Sequence, residues 1–301
     1  ARILVAERNS TDREHISALL EAKGYAVVQA RSGPQALSCL KNTPRQFSAV
    51  ILQRRLEGMD TRVLLGKLKS HPILKVVPII VHAENEDEQD MLEELRAGAQ
   101  YYLTKPLKEE MLLAMVETAV TDHSQYRSLQ LESKNCDGRL LTMQSGHFRF
   151  RTLDEASYIG TLLASAFPDS DLVVVGLTEL LINAVEHGNL EIGYALKSAL
   201  LTQGTWRDEI ERRLQMPPYA SRYVDVTLKK LKGEIRLHIK DEGKGFDWHS
   251  YLEIRPERIY DSHGRGIAIS KELSFDVVEY LGKGREVKTV NYYPDSNTLE
   301  Y

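Results

Sequence analysis

The chain has 301 residues, and 39 Lys and Arg against 43 Asp and Glu leave a formal charge of −4; the length suggests about two domains, each able to bury its own core. With 42% hydrophobic and 27% charged residues and no apolar run near the roughly 20 residues of a membrane helix, disordered, collagen-like and membrane-spanning classes are excluded, and the balanced charge argues against a nucleic-acid reader. Cys39 and Cys136 lack metal-ligand spacing, and the opening ARILVAE is a strand pattern without a basic leader, so a cytoplasmic, reducing location is expected.

Short apolar runs at residues 3–6, 26–30, 49–52, 77–81 and 101–103 alternate with amphipathic stretches such as Ile16, Leu19, Leu20 and Leu64, Leu65, Leu68. This is the pattern of five βα units wound on both faces of a parallel sheet, a doubly wound α/β domain. Its last helix is expected from Glu109 to about Ala119. The stretch SQYRSLQLESKNCDGR then loses periodicity, so residues 1–121 form the first domain and 122–145 a linker.

From residue 146 the pattern changes. HFRFRT alternates as a strand, Thr152 precedes Glu155 by three residues as in a capping box, and DLVVVGLTELLINAVEHG reads as an apolar helix ending on Gly188. A charged, helix-prone stretch follows from Tyr194 to Gln215, then the strands VDVTL and IRLHIKD, and a last strand near 286–292. Residues 146–301 are thus expected to be an α+β unit.

The first domain resembles the receiver domain of response regulators, through Gly58-Met59-Asp60 after the third run and AGAQYYLTKPL around the fifth. The resemblance implies a phosphoryl acceptor aspartate ending strand three, a Mg²⁺-binding acidic pair after strand one, a hydroxyl after strand four and a lysine after strand five. Here those positions hold Gln53, Glu7-Arg8, His82 and Lys105. A carboxamide is a poor nucleophile, and Arg8 is expected to put a cation where Mg²⁺ would sit. Phosphoryl acceptance is therefore expected to be lost. Glu57 and Asp60, the nearest other carboxylates, read as turn residues. A protein-binding role is expected, through the face holding Tyr101 and Tyr102; the alternative is a folding partner for the second domain.

In the second domain Glu179, Asn183, Glu186 and His187 fall at helical spacing on one face of an otherwise apolar helix, a polar stripe that must meet partners or ligand. Two glycine clusters, Asp241-Glu-Gly243-Lys-Gly245 and Gly264-Arg265-Gly266, stand where backbone N–H groups can approach phosphate. The ordered trio resembles the Bergerat-type, histidine-kinase-like ATP-binding fold, which implies an α+β sandwich over residues 146–301, interrupted here by an insertion at about 190–222. That resemblance implies Asn183 on Mg²⁺, Asp241 accepting from the adenine amino group, Gly243 and Gly245 around the base, Gly264, Arg265 and Gly266 at the phosphates, residues 248–262 as lid, and Glu179 as general base.

His123, in TDHSQYR, does not look like a phospho-accepting box and reads as an exposed linker residue. The compact lid and the Glu-Leu-Leu-Ile-Asn-Ala box instead look like the anti-sigma-factor serine kinases. ATP and magnesium are then the cofactors, and the partners are signalling proteins such as a sigma factor or its antagonist, without membrane or direct nucleic-acid contact; a homodimer is possible. Two alternatives stay open: an ATP-binding switch without phosphoryl transfer, and a structural interaction protein. The insertion, with TWRDEIERRLQMPP, reads as a solvated surface helix, either decorative or a docking element beside the lid.

Overall fold

The computed structural model describes residues 1–84, 88–135, 140, 142–246, 248 and 274–293. They fall into two compact units, Ala1–Arg127 and the described residues from Ser128 onward. No helix among them is long and apolar enough to cross a membrane.

In the first unit β1 (Arg2–Ala6), β2 (Ala26–Ala30), β3 (Ala49–Gln53), β4 (Ile79–Ala83) and β5 (Tyr101–Thr104) form a parallel sheet in the order β2-β1-β3-β4-β5. β3 and β4 are buried along their whole length, which is why they read as unbroken apolar runs rather than alternating ones. One face of the sheet packs Leu4, Val50, Leu52, Val81 and Tyr102 into one core, and the other packs Ile3, Val5, Ile51, Ile80 and Tyr101 into a second. Helices α1 (Ser10–Ala22), α2 (Gly33–Asn42), α3 (Thr61–Lys69), α4 (Glu88–Arg96) and α5 (Glu109–Asn135) connect and follow the strands.

The helix starts are set by local chemistry. The Asn9 side chain accepts from the N–H groups of Thr11 and Asp12 at the head of α1, and that of Asp60 from Arg62 at the head of α3. Asp60, expected as a turn residue, is thus a helix cap.

Three expectations for this unit need correction. Tyr101 and Tyr102 are 3% and 0% exposed; β5 is covered on both faces, so these rings form core and offer no docking surface. The last helix, expected to end at about Ala119, runs on through Asn135, because no Gly or Pro interrupts residues 109–135 and its Ser, Gln, Glu, Lys and Leu suit a helix; the two units still divide within the stretch read as a linker. His123, read as exposed, is 6% exposed on that helix, and burial pushes its imidazole pKa down to about 4, with the nearby Arg127 charge adding to the effect.

The second unit is an antiparallel sheet in the order β6-β7-β8-β10-β9, formed by β6 (Ser145–Phe150), β7 (Val224–Leu231), β8 (Glu234–Lys240), β9 (Val277–Leu281) and β10 (Glu286–Tyr292). The alternation in β7 and β8 turns Val224, Val226, Leu228, Ile235, Leu237 and Ile239 inward. They share a core with Leu163 of α6 (Leu153–Ala164) and with Val174, Leu177 and Leu181 of α7 (Ser170–Asn183). Thr152 and Glu155 make the expected capping box at the head of α6. A Cβ on Gly160 would lie 2.6 Å from Thr178 Oγ1, so the glycine lets α6 and α7 approach closely. β9 was not anticipated: its burial alternates weakly, as suits a strand at the edge of a sheet.

α7 does not run on as an α-helix to Gly188. It passes into a π-helical turn, Ala184–Asn189, in which the Leu190 N–H reaches the Val185 carbonyl, five residues back, at 2.9 Å. The insertion forms α8 (Tyr194–Gln203) and α9 (Trp206–Leu214).

Candidate functional site

In a doubly wound sheet the carboxyl ends of the strands carry the ligand crevice. Glu7, Gln53, His82 and Lys105 stand at those ends in the first unit, following β1, ending β3, within the end of β4 and following β5. Glu7, Gln53 and His82 are 0%, 2% and 1% exposed. Glu7 Oε2 lies 2.9 Å from His82 Nε2, while its Oε1 accepts from the Asn9 N–H at 2.7 Å. Gln53 Oε1 accepts from the Arg8 N–H at 3.1 Å. Burial alone would raise the Glu7 carboxyl; the His82 hydrogen bond, the Asn9 N–H and the charges of His82 and Lys105 hold it below the usual carboxylate range.

Two cations depart from expectation. The Arg8 guanidinium does not occupy the metal position: it points outward to Glu84, 3.7 Å away, with about half of each side chain exposed. Water and the exposed Glu84 carboxylate meet the guanidinium there, whereas burial would desolvate its charge. Lys105 pairs with Asp12 at 2.5 Å. The buried cation is Arg13, which donates to the Glu7 carbonyl at 2.8 Å. Sequence reasoning missed Arg13 and Asp12; their place one turn into α1, after the strand-end residues, was the available signal. Glu7 Oε1, Gln53 Oε1 and Lys105 Nζ are thus each met by a neighbour within the crevice, whereas His82 Nδ1 is buried without a hydrogen-bond partner among the described residues.

In the second unit Glu179 and Asn183 lie one turn apart on α7, both half-buried. Asp241, just past β8, is 6% exposed. Its Oδ1 accepts from the Gly243 N–H at 2.8 Å, and its Oδ2 takes no hydrogen bond from a described residue. Burial pushes this carboxyl up to about 6, against the Gly243 N–H and the charges of Arg285 and Arg222.

Gly188 packs directly on Asp241: a Cβ there would stand 2.5 Å from the carboxyl carbon. A Cβ on Gly243 would overlap the Gly188 carbonyl, and one on Gly245, at φ +81°, would overlap that of Lys283. These glycines are required because backbone meets backbone at the turn.

Tyr280 of β9 joins the same neighbourhood. Its hydroxyl pKa is pushed well up by burial and by the negative charges of Asp241 and Glu179. Its ring meets Phe246 edge-on and stacks on Trp248, with centroids 5.7 Å apart in each case. Sequence reasoning missed this residue along with its strand; the apolar run around Val277 and Val278 was the only hint. Gly264, Arg265 and Gly266, and the lid beyond Trp248, lie outside the described residues.

The four-residue polar stripe is not continuous. The π turn rotates its second half away from the first, and Glu186 is completely buried beside the insertion. It accepts from the Trp206 Nε1–H and from Lys197 Nζ, both at 2.7 Å. His187 Nδ1 lies 2.5 Å from the Ile192 carbonyl, and burial lowers its pKa despite the Glu186 charge and that carbonyl, with Lys197 lowering it further. α9 is correspondingly less solvated than expected, because Ile210 is 3% exposed and belongs to the core. Its outer side matches the expectation: Arg207 faces Asp154 and Glu211 from exposed positions.

A family model described as the response regulator receiver domain matches residues 3–117. The "Two-component response regulator-like PRR73" of Oryza sativa subsp. indica is 30% identical over 111 residues, covering 37% of this chain and 14% of that protein. "Response regulator PleD" of Caulobacter vibrioides is 31% identical over 119 residues, 39% of this chain and 26% of that protein. The chain therefore spans only a small part of these relatives. Among solved structures, a putative response regulator from Chloroflexus aurantiacus J-10-fl shares 28% identity and a TM-score of 0.38, over 40% of this chain and 97% of that one.

Proposed function

Residues 3–117 being a response regulator receiver domain, we propose that this is a signalling protein in which a receiver that cannot be phosphorylated precedes an ATP-dependent serine/threonine protein kinase domain similar to anti-sigma factors. A signalling role follows from the receiver domain; the remainder is our reading of the residues. In the receiver, Gln53 offers a carboxamide whose oxygen is bound to the Arg8 N–H, and Glu7 is engaged by His82 and Asn9. Neither is free to accept a phosphoryl group or a metal.

One observation carries the nucleotide reading. A buried carboxylate, Asp241, stands at a glycine turn, and Tyr280 feels both its charge and that of Glu179. Nothing in packing alone asks for two carboxylates around one buried ring. The adenine amino group would donate to Asp241, whose Oδ2 takes no hydrogen bond from a described residue. Asn183 fits a magnesium site, since its half-buried side chain makes no hydrogen bond to a described residue and its amide oxygen is a hard ligand. Magnesium there would neutralise phosphate charge. Glu179 would take the proton of the attacking serine or threonine hydroxyl. Gly264, Arg265 and Gly266 would serve the phosphates, and a sigma factor or its antagonist would be the protein partner.

Calorimetry on the intact chain tests this directly. Mg-ATP binding that survives in Glu179→Ala and is lost in Asp241→Asn, with ³²P transfer to a serine-bearing protein only by the parent, is the expected result. Absence of heat with any purine triphosphate refutes it.

A further inference from the structure

The insertion is built into the candidate nucleotide site through one carboxylate. Glu186 is 0% exposed, and an ionised carboxylate is held in such a place only when its charge and lone pairs are met. Its side-chain donors among the described residues come from the insertion: Lys197 of α8 donates to Oε2 and Trp206 of α9 to Oε1, each at 2.7 Å. The Lys197 ammonium also sits 5.7 Å from the centre of the Trp206 ring.

A second layer ties the end of the π turn to the same helices. Glu209 of α9 holds Arg213 at 2.7 Å, and Arg213 donates to the Leu190 carbonyl at 2.6 Å and to that of Glu191 at 3.1 Å. Arg222 donates to the Asn189 carbonyl at 2.7 Å. From the other side of that turn, Asn189 Oδ1 accepts from the Glu242 N–H at 2.8 Å, and Gly188 packs on Asp241. An unbroken chain of hydrogen bonds and packed backbone therefore runs from α8 and α9 through the π turn to Asp241-Glu242-Gly243.

We propose that Glu186 is a positioning residue, through which docking of the 190–222 insertion sets the affinity of the Asp241 site for adenine nucleotide. The inference rests on the nucleotide reading above and adds its regulation: a partner that pulls α8 and α9 away strips the donors from a buried carboxylate. The π turn then relaxes, and Gly188 and Asn189 lose their grip on the Asp241 turn.

The test uses the full chain with two separate substitutions. Trp206→Phe keeps the ring and deletes the N–H, and Lys197→Met keeps the stem and deletes the charge. Arg207→Ala, which removes only the exposed contacts to Asp154 and Glu211, is the control. Two quantities are read: native-state hydrogen exchange at the Glu242 amide, and the Kd for Mg-ATP by calorimetry. Both donor-removing variants are expected to lose protection at Glu242 and to bind Mg-ATP about tenfold more weakly, within the range of ordinary site-to-site coupling, with the control unchanged. A merely structural role would lower the melting temperature and leave both readings alone.

Unchanged Glu242 exchange in both variants overturns the proposal whatever the nucleotide does, and so does lost protection with unaltered affinity. Should Trp206→Phe not fold, Lys197→Met decides. If the parent binds no Mg-ATP, the nucleotide reading fails and the affinity claim fails with it. Exchange at Glu242 then shows separately whether the insertion governs that turn.

Discussion

Lowering the pH from 7 to 5 should weaken Mg-ATP binding about tenfold through one side chain. Asp241 carries a pKa of about 6 because burial disfavours its charge. As acceptor for the adenine amino group it is needed in the ionised form, whose population falls from about nine-tenths at pH 7 to about one-tenth at pH 5; apparent affinity falls in proportion to the competent fraction. A carboxylate with the ordinary value of 3.8 would lose about a twentieth of its charge over the same range.

Calorimetric titrations of the parent at half-unit steps from pH 5 to 8, with Mg-ATP and with adenosine, give the measurement. Adenosine carries no phosphate to protonate, so a fall in affinity shared by both ligands belongs to the protein. An adenosine affinity that does not change with pH would refute the assignment of Asp241 to the base. The sign for folding is opposite: a carboxyl whose pKa is raised contributes stability below 3.8 and loses it as pH rises through about 6. Nucleotide binding thus works against what this group contributes to the fold, a conflict expected at a ligand site rather than in a core.

Gly188→Ala should place a methyl 2.5 Å from the Asp241 carboxyl carbon and destabilise the second unit by about 1 to 3 kcal/mol, as overpacking does; an unchanged urea midpoint contradicts that packing. Gln53→Asp should remain unphosphorylated by acetyl phosphate and Mg²⁺, because Glu7 is committed to His82 and Asn9; a stoichiometric adduct detected by mass spectrometry overturns the account of the receiver crevice. Glu94, 3% exposed, has a pKa pushed up to about 7 by burial, against the opposing charges of Arg54 and Arg62. Its contribution, about 3 kcal/mol by linkage, is present below pH 4.5 and lost as pH rises through 7. Glu94→Gln should remove that slope from the pH dependence of the unfolding free energy, and a persisting slope assigns it elsewhere. His123 acts in the reverse sense: with its pKa lowered to about 4, it supports the fold above pH 6.5 and withdraws that support as pH falls toward 4. His123→Phe should flatten the acid limb, and an unaltered limb excludes the histidine as its source.

Residue order alone carried the five βα units, the Thr152–Glu155 cap, the degenerate strand-end residues Gln53 and His82, and Asp241 with its glycines. Each depends on periodicity or on a short-range rule satisfied within a few residues, so it is legible without knowing what lies across the core. The tertiary structure alone decided where Arg8 turns, that Tyr101 and Tyr102 are covered on both sides, and that β9 brings Tyr280 to Asp241. It also decided that Glu186 belongs to the insertion rather than to the stripe begun by Glu179 and Asn183. Those outcomes depend on partners distant in the chain and on one π turn that breaks the helical count. A rotamer's destination and a buried charge's partner are set by which surfaces meet, and composition and spacing hold no record of that.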